Sequence, residues 1–257
     1  MTEGGGKATV QTLLDTGPGA GGLARRLVEV PPGSRFEAVA GPGGELWYVI
    51  GGAGRLEPGT GPEAQLRPGT ALWLPPGARC RLSGGSGGTL RMDSVSLPAG
   101  AQAPDRAGPP DPAAAPDSVA APDSVAAPDS VAAPDRAGVP RLARLEDCPV
   151  EVTGDRRFRV LFGPGHGCDV ATQFVGEIPH GRAPLHSHTY DEVVLVLAGE
   201  GLLHAGPAGH PLAPGDCIHL PPGQPHCLEN TGQGTLWVLG VFHPGGSPAA
   251  KTAAPPG

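Results

Sequence analysis

Lysine, aromatic residues and long apolar runs are all scarce in this chain of 257 residues. Lys7 and Lys251 are its two lysines, aromatic residues make up 4% of the composition, and the formal net charge is -7. The absence of a basic stripe argues against nucleic acid as a partner. No stretch approaches the roughly 18 consecutive apolar residues of a membrane span, and the N-terminus has no run of signal-peptide length. We therefore expect a soluble, cytoplasmic protein that does not contact membranes.

Cysteine is also rare, and its spacing excludes the usual paired motifs. The five cysteines lack the short intervals of a zinc knuckle or a redox motif. In a reducing compartment we expect them to be free thiols that pack as small apolar side chains. They are Cys80, Cys148, Cys168, Cys217 and Cys227.

Glycine and proline are abundant instead, with 43 and 33 residues. Such a composition is typical of a chain that is disordered or built from many short strands joined by tight turns. Residues 101–140 fit the first description, because Ala115-Pro-Asp-Ser-Val-Ala120 recurs at 121–126 and 127–132. Proline in every repeat excludes a helix, and no apolar face is present to cover a sheet. We predict a disordered Pro/Ala-rich linker at 101–140 and a second disordered segment at 246–257.

The flanking halves, residues 1–100 and 141–245, contain short apolar segments separated by Gly and Pro. This pattern predicts an antiparallel sandwich or barrel in each half, so the predicted class is all-β. The candidate strands are Leu46–Ile50, Ala71–Leu74 and Leu90–Val95 in the first half and Phe158–Phe162, Val170–Val175, Glu192–Leu197, Asp216–Leu220 and Thr235–Phe242 in the second.

The two halves also share a motif, which predicts an internal duplication. Glu45 precedes Gly52 and Gly54 as Glu192 precedes Gly199 and Gly201. The segment 69–77, Gly-Thr-Ala-Leu-Trp-Leu-Pro-Pro-Gly, aligns without a gap with 215–223, Gly-Asp-Cys-Ile-His-Leu-Pro-Pro-Gly.

A cluster of metal-binding residue types lies in the second half. His186 and His188 are two residues apart, so on a strand both imidazoles leave the same face, with Cα atoms roughly 7 Å apart. Glu192 begins the next strand after a short turn, and His226 follows the turn Pro221-Pro-Gly223. Three imidazoles and one carboxylate suit Fe(II), Mn(II), Ni(II), Zn(II) or Cu(II), and four protein ligands leave two positions of an octahedral ion open.

The complete pattern resembles the two consensus motifs of the cupin superfamily. Its fixed positions are Gly181, His186, His188, Glu192, Gly199, Gly215, Pro221, Gly223, His226 and Asn230, with Gly181 one residue closer to the histidines than is usual. With the duplication, the chain resembles a bicupin, an arrangement also found among relatives of oxalate decarboxylase. The resemblance implies two double-stranded β-helix (jelly-roll) barrels and assigns the four metal-ligand roles to His186, His188, Glu192 and His226.

The first half departs from this pattern at three of the four ligand positions. Val39, Gly41 and Cys80 stand where the histidines would be, and only Glu45 is kept. No histidine occurs before His166. We therefore expect the first barrel to be metal-free and to serve in barrel pairing or in binding a ligand without a metal.

Several residues near the metal motif are candidates for the cavity. Alternation along the strands predicts a largely apolar lining from Val194, Val196, Leu228 and Asn230. Polar candidates for substrate contact are Gln173, Tyr190, His204, Cys217 and His219. Arg182 is the one basic residue between Gly181 and Asn230, which weakens a sugar-phosphate substrate.

These observations favour a cupin metalloenzyme that acts on a small organic molecule. An Fe(II)-type dioxygenase ranks first, and a Mn(II)-type decarboxylase or a metal-assisted isomerase follows. The alternative is a non-catalytic sensor or storage protein that binds a small ligand. The outward residues Val193, Leu195 and Leu197 are expected to pack on the first barrel or on a second chain, and a homodimer through the barrel faces is a further expectation.

Overall fold

The computed structural model describes residues 6–17, 22–100, 138–249 and 252–253. Over these ranges the chain is almost entirely β, with a single short 3-10 helix, Leu145–Asp147. In the part of the chain that is described, no helix is long and apolar enough to cross a membrane. The predicted all-β class is confirmed. The predicted linker falls mostly on residues 101–137, which lie outside the described ranges.

The first half forms two facing antiparallel sheets. One sheet has the strand order β1-β2-β9-β4-β7 and the other has the order β3-β8-β5-β6 in the following numbering. The strands are Thr9–Asp15 (β1), Ala24–Val30 (β2), Arg35–Val39 (β3), Glu45–Gly51 (β4), Gly54–Pro58 (β5), Ala64–Leu66 (β6), Thr70–Leu74 (β7), Arg79–Gly84 (β8) and Leu90–Ser96 (β9).

The second half repeats this arrangement. Its larger sheet has the order β11-β12-β13-β21-β16-β19 and its smaller sheet the order β14-β20-β17-β18 in the following numbering. The strands are Arg141–Arg144 (β10), Glu151–Thr153 (β11), Arg156–Phe162 (β12), Thr172–Ile178 (β13), Gly181–Arg182 (β14), His186–Ser187 (β15), Asp191–Ala198 (β16), Gly201–His204 (β17), Gly209–Leu212 (β18), Cys217–Leu220 (β19), Cys227–Asn230 (β20), Leu236–His243 (β21) and Thr252–Ala253 (β22).

The strand orders confirm the duplication predicted from the shared motif. The order β2-β9-β4-β7 in the first barrel corresponds to β13-β21-β16-β19 in the second, and β3-β8-β5-β6 corresponds to β14-β20-β17-β18. Gly52 and Gly199, the first glycines of the shared motif, both have positive φ, 69° and 88°. A Cβ atom would lie 2.0 Å from the Thr89 carbonyl oxygen in one half and 2.7 Å from that of Thr235 in the other. Only glycine fits both the backbone conformation and the space.

The two barrels pack face to face through an apolar core, here called the interface core. Val193 and Leu195 of β16 belong to it, which settles the alternative between the first barrel and a second chain in favour of the first barrel. Its fully buried members include residues from both halves, such as Leu23, Leu46, Val95, Leu161, Leu239 and Val241. Strand β10 also joins the halves, because it pairs antiparallel with β7 and extends the larger sheet of the first barrel.

A buried ion pair connects the barrels within this interface. Arg25 and Asp93 are both fully buried, with 2.7 Å between Nε and Oδ1 and 3.0 Å between Nη2 and Oδ2. Arg25 Nη2 also donates to the Leu239 carbonyl oxygen of the second barrel, at 3.1 Å. The guanidinium is therefore held by groups from both halves.

Part of the segment predicted to be a disordered tail is ordered against the second barrel. The Gly246 N–H donates to the Thr172 hydroxyl, and that hydroxyl donates to the Gly246 carbonyl oxygen, at 3.1 and 2.8 Å. Strand β22 pairs antiparallel with β15. The prediction was wrong for residues 246–249 and 252–253, because backbone pairing needs no apolar side chains. Residues 250, 251 and 254–257 lie outside the described ranges.

Candidate metal centre

Two neighbouring chain segments bring the histidines of the second barrel together. His186 lies in β15, His188 follows it directly, and His226 immediately precedes β20. His186 and His226 exchange backbone hydrogen bonds of 3.0 and 2.8 Å, which place their side chains next to each other. The Gly223 N–H donates to the His188 carbonyl oxygen at 2.7 Å, so the Pro221-Pro-Gly223 turn directs the chain back to this site.

The four side chains converge on one point. The imidazole ligand atoms of His186, His188 and His226 all lie within 4.8 Å of one another. Glu192 Oε2 lies 3.5 Å from Nε2 of His188 and 3.6 Å from Nε2 of His226. Ligand atoms that each lie about 2.0–2.2 Å from a shared ion are separated by distances of this size. All four residues are buried, with 4–8% of their surface exposed.

Backbone carbonyl groups set the tautomers of two of these histidines. His186 Nδ1 lies 3.1 Å from the Pro184 carbonyl oxygen, and His226 Nδ1 lies 2.9 Å from that of Gln224. A carbonyl oxygen only accepts, so the proton must be on Nδ1 in both rings, and Nε2 of the neutral ring presents a lone pair. Burial lowers the pKa of His226, which favours this neutral form.

The carboxyl group of Glu192 is the charged partner of the cluster. Burial raises its pKa to about 8, because the ionised form loses hydration inside the barrel. A divalent cation beside it would stabilise the ionised form. Two neutral imidazoles with fixed tautomers and a buried carboxylate at close range are therefore a donor set that fits such an ion.

Aromatic side chains support the cluster from one side. The ring of Tyr190 stacks on His188 with 4.7 Å between centroids and 13° between planes, and Phe242 packs against Tyr190 at 4.4 Å. The Tyr190 hydroxyl donates to the Ser247 carbonyl oxygen at 3.4 Å. Tyr190, predicted to contact substrate, instead fixes the orientation of a ligand candidate.

The cluster forms the base of a cavity of about 80 Å³. Its walls are mostly apolar, as the alternation predicted. Leu228 lies on the cavity as expected, whereas Val194 and Val196 lie deeper in the apolar core of the barrel. Asn230 is fully buried and binds the Ile178 and Gly234 carbonyl oxygens, so it stabilises a turn. The apolar wall residues include Phe158, Phe174, Ile178, Leu220, Leu228 and Val238.

Sequence reasoning missed the two basic residues that line this cavity, Arg156 and Arg157. Arg156, the first residue of β12, is partly buried and lines the cavity, and its Nη2 donates to the Leu228 carbonyl oxygen at 2.6 Å. The predicted strand began at Phe158, and the search for basic residues covered only Gly181 to Asn230. Alternation with the inward-facing Phe158 is the signal that could have identified Arg156.

The remaining polar candidates do not face the cavity. Gln173 is fully buried on the opposite face of β13 from Phe174, toward the first barrel. His219 bonds to Asp191 at 2.8 Å, and His204 bonds to Glu229 at 2.7 Å. Neither histidine lines the cavity. Each of these side chains leaves its strand on the outer face, away from the cavity.

The cysteines are free thiols, as predicted. Cys217 was also a candidate for substrate contact, but it lies on the outer face of β19. There the positive charge of Arg25 and the negative charge of Asp93 act on its thiol, whose pKa burial raises. Cys217 therefore belongs to the contact between the barrels.

The corresponding positions of the first barrel have a different environment. Val39 is 49% exposed, and burial raises the pKa of the Cys80 thiol to about 12, so it is protonated at neutral pH. Glu45 accepts hydrogen bonds from Trp47 Nε1 at 3.0 Å and from the Ser96 hydroxyl at 2.9 Å. Its carboxyl oxygens are thus engaged by side chains of its own sheet.

The paired jelly-roll barrels are the fold of two-barrel cupin proteins. The cupin domain family model matches residues 174–242, which contain the cluster. The second barrel is therefore a cupin domain, and the chain as a whole has the fold of a two-barrel cupin.

Solved structures support the fold of the whole chain. A variant of oxalate decarboxylase from Bacillus subtilis superposes with a TM-score of 0.68 at 15% identity, over 96% of this chain and 74% of that one. Protein Ylba from E. coli superposes with a TM-score of 0.64 at 14% identity, over 92% and 82% of the two chains.

The sequence matches to curated proteins cover shorter segments of the chain. An auxin-binding protein of Nicotiana tabacum is 35% identical over 75 residues, which cover 25% of this chain and 40% of that protein. The matched segments span 35% to 49% of the curated relatives' own length.

Proposed function

We propose that the second barrel binds one divalent transition metal ion through His186, His188, Glu192 and His226, and that the protein is a mononuclear metal-dependent enzyme acting on a small organic molecule. The observation that carries this proposal is the convergence of three buried imidazoles and a buried carboxylate at the base of a cavity. Fe(II) and Mn(II) are the first candidates, and Zn(II), Ni(II) and Cu(II) suit the same donors.

The residues around the ion have separate tasks. The Nδ1–carbonyl hydrogen bonds of His186 and His226 hold the two rings in one orientation, and Tyr190 holds the ring of His188. The apolar walls exclude bulk water and so strengthen each polar contact made inside the cavity. When bound, the metal would supply a Lewis acid or, in the case of Fe(II), a redox centre with two open positions.

An Fe(II)-type dioxygenase is the first candidate reaction, because two adjacent open positions leave room for a substrate and O₂ side by side. A decarboxylase comparable to the oxalate decarboxylase neighbours ranks lower. Such a reaction needs a carboxyl group that can exchange protons near the open positions. Of the nearby acids, Asp191 bonds to His219 on the outer face, Glu200 is exposed, and Glu177 forms an ion pair with Arg159 at 2.6 Å.

Non-catalytic binding of a small ligand is the second candidate function. Its support is the similarity of part of this chain to the auxin-binding proteins, whose names state a binding role. In that case the metal would be a structural clamp and the cavity a receptor site.

Metal analysis of the purified protein tests the proposal. We expect about one metal ion per chain in the wild type and less than about a tenth of that in His186→Ala/His226→Ala, because two of the ligands are lost. His210→Ala is the matched control, since it removes an exposed histidine of the same barrel. Equal metal content in the wild type and the double variant would contradict the proposed site.

Oxygen consumption separates the two functions. The metal-loaded protein would be incubated with small carboxylates, catechols and thiols while dissolved O₂ is recorded. Consumption that depends on both metal and substrate supports the dioxygenase. A metal-loaded protein that binds one of these compounds and consumes no O₂ supports the receptor function.

A further inference from the structure

Arg156 is one of the residues that line the cavity of the proposed metal site. Its hydrogen bond to the Leu228 carbonyl oxygen connects β12 to β20, the strand that follows His226. The positive charge acts on His226 and contributes to lowering the pKa of that imidazole. Arg156 is thus held in place within electrostatic reach of the metal-ligand cluster.

Arg156 differs from its neighbours because no carboxylate of the described residues forms an ion pair with it, although the charge of the adjacent Asp155 acts on its guanidinium. Arg157 and Arg159 both pair with Glu177, at 4.0 and 2.6 Å. A guanidinium has five N–H donors, and the Leu228 bond uses one of the five. A partly buried, permanently charged group with unused donors is suited to an anionic ligand.

The charges of the filled site also favour an anion. A divalent cation with the Glu192 carboxylate leaves one positive charge, and Arg156 adds a second. A carboxylate fits both groups, because it can bind a metal ion or accept paired hydrogen bonds from a guanidinium.

Size and wall chemistry restrict this anion further. At roughly 10–15 Å³ for each enclosed water, a cavity of about 80 Å³ holds a molecule of only a few non-hydrogen atoms. The cavity is also lined by Arg157 and Glu177, but these two charges pair with each other, and walls such as Phe158, Ile178 and Leu228 offer no partner for a second charged group. A phosphate would need further cations, whereas Arg157 and Arg159 are already paired with Glu177.

We infer that Arg156 is a substrate-binding residue and that the molecule bound in the cavity is a small monocarboxylate with an apolar body. This inference rests on the proposed metal site and adds a substrate class to it. Arg156 binds the carboxylate, the apolar walls contact the remainder of the molecule, and the metal-ligand cluster faces it from the base of the cavity.

Calorimetric titration of the Zn(II)-loaded protein tests this inference with two probes of the same shape. Isobutyrate carries the carboxylate, and isobutyramide replaces it with an uncharged amide. We expect isobutyrate to bind the wild type at least about tenfold more tightly than Arg156→Met, since hydrogen bonds to a charged group are lost. Isobutyramide should bind weakly to both proteins.

Arg182→Met is the matched control, because it removes the same charge from an exposed position of the same barrel that does not line the cavity. It should bind isobutyrate within about twofold of the wild type. If Arg156→Met loses its fold or its metal, Arg156→Gln retains a donor toward Leu228 and should show the same tenfold loss.

The outcomes distinguish the two proposals. A wild type that holds no Zn(II) contradicts the metal site itself. A metal-loaded wild type that does not bind isobutyrate, or that binds isobutyramide equally well, overturns the monocarboxylate assignment. Equal isobutyrate affinity in the wild type and in folded, metal-loaded Arg156 variants overturns the role of Arg156 alone.

Discussion

The two barrels keep one glutamate at the same place and use it differently. Glu45 pairs across its sheet with Ser96, and Glu192 pairs with Phe242. Two residues further along, Trp47 donates to Glu45, whereas Val194 stands at that position in the second barrel. Hydrogen-bond donors satisfy the first carboxyl group, whereas the second faces the imidazoles of His188 and His226.

The two barrels compensate the burial of this carboxyl group in different ways. A buried carboxyl group is unfavourable unless hydrogen bonds or a cation compensate for lost hydration. The first barrel supplies donors and the second supplies three imidazoles that can share an ion. Tyr190 has no counterpart in the first barrel, where Gly43 occupies the equivalent position. A Cβ atom at Gly43 would lie 2.2 Å from the Pro98 carbonyl oxygen, so a larger side chain does not fit there.

The largest expected effect concerns the buried ion pair between Arg25 and Asp93, which lies at the contact between the barrels. Arg25→Met should lower the free energy of unfolding by about 3–5 kcal/mol, because Asp93 would remain buried without its partner. Urea denaturation measures this loss. Arg25→Met/Asp93→Leu should recover most of it. Arg26→Met removes a partly exposed hydrogen bond of 2.6 Å to Ser96 and a 3.9 Å contact to Glu45, and should change stability by about 1 kcal/mol or less. If Arg25→Met and Arg26→Met lowered the free energy of unfolding by similar amounts, the buried pair would have no special role in stability.

The second prediction concerns protons released by Glu192. Its pKa of about 8 in the metal-free protein means that the carboxyl group is protonated at pH 7 and must lose that proton to bind an ion. Affinity for Zn(II) should therefore rise about tenfold per pH unit up to about pH 8. Titration in buffers of different ionisation enthalpy counts the released protons. Glu192→Gln should bind more weakly and release about one proton fewer; the same proton count in both proteins would exclude Glu192 as the source.

The third prediction concerns the corresponding glutamate of the first barrel. Ser96→Ala removes a donor to Glu45 and should cost about 1 kcal/mol at pH 8. Burial raises the pKa of Glu45, and the Ser96 hydrogen bond opposes this shift by favouring the ionised form. Loss of this hydrogen bond should therefore matter less at pH 4, where the carboxyl group is protonated. Thermal unfolding at both pH values measures the difference. A cost independent of pH would show that the Glu45 carboxylate is not the group stabilised.

The smallest expected effect concerns Tyr190, whose equivalent position in the first barrel is Gly43. Tyr190→Phe removes the 3.4 Å hydrogen bond to Ser247 and keeps the stacking on His188, so stability should fall by less than about 1 kcal/mol. Metal content and isobutyrate affinity should not change. A clear loss of isobutyrate affinity in this variant would return the hydroxyl to the role of a substrate contact.

The fold and the metal-ligand candidates were predictable because both depend on local signals at fixed intervals. Gly52 and Gly199 mark turns that only glycine can make, and the spacing of His186 and His188 places both rings on one side of the strand. The strand equivalences followed from aligning these signals between the halves.

The other cavity contacts were not predictable in this way. Both faces of the β13-β21-β16-β19 sheet are covered, so apolar residues occur without the alternation that distinguishes inside from outside. Gln173 and His219 were assigned to the wrong face for this reason. Arg156 reaches the cavity from a strand well before the metal motif, and that contact depends on the closure of the barrel.

The interface core sets a limit on how the two copies can diverge. Whatever the interior of the first barrel binds, its outer face must match the partner barrel, because Leu23, Arg25 and Val95 are fully buried against it. Substitutions should therefore be accepted more readily at Phe36, which packs only within the first barrel, than at these three positions.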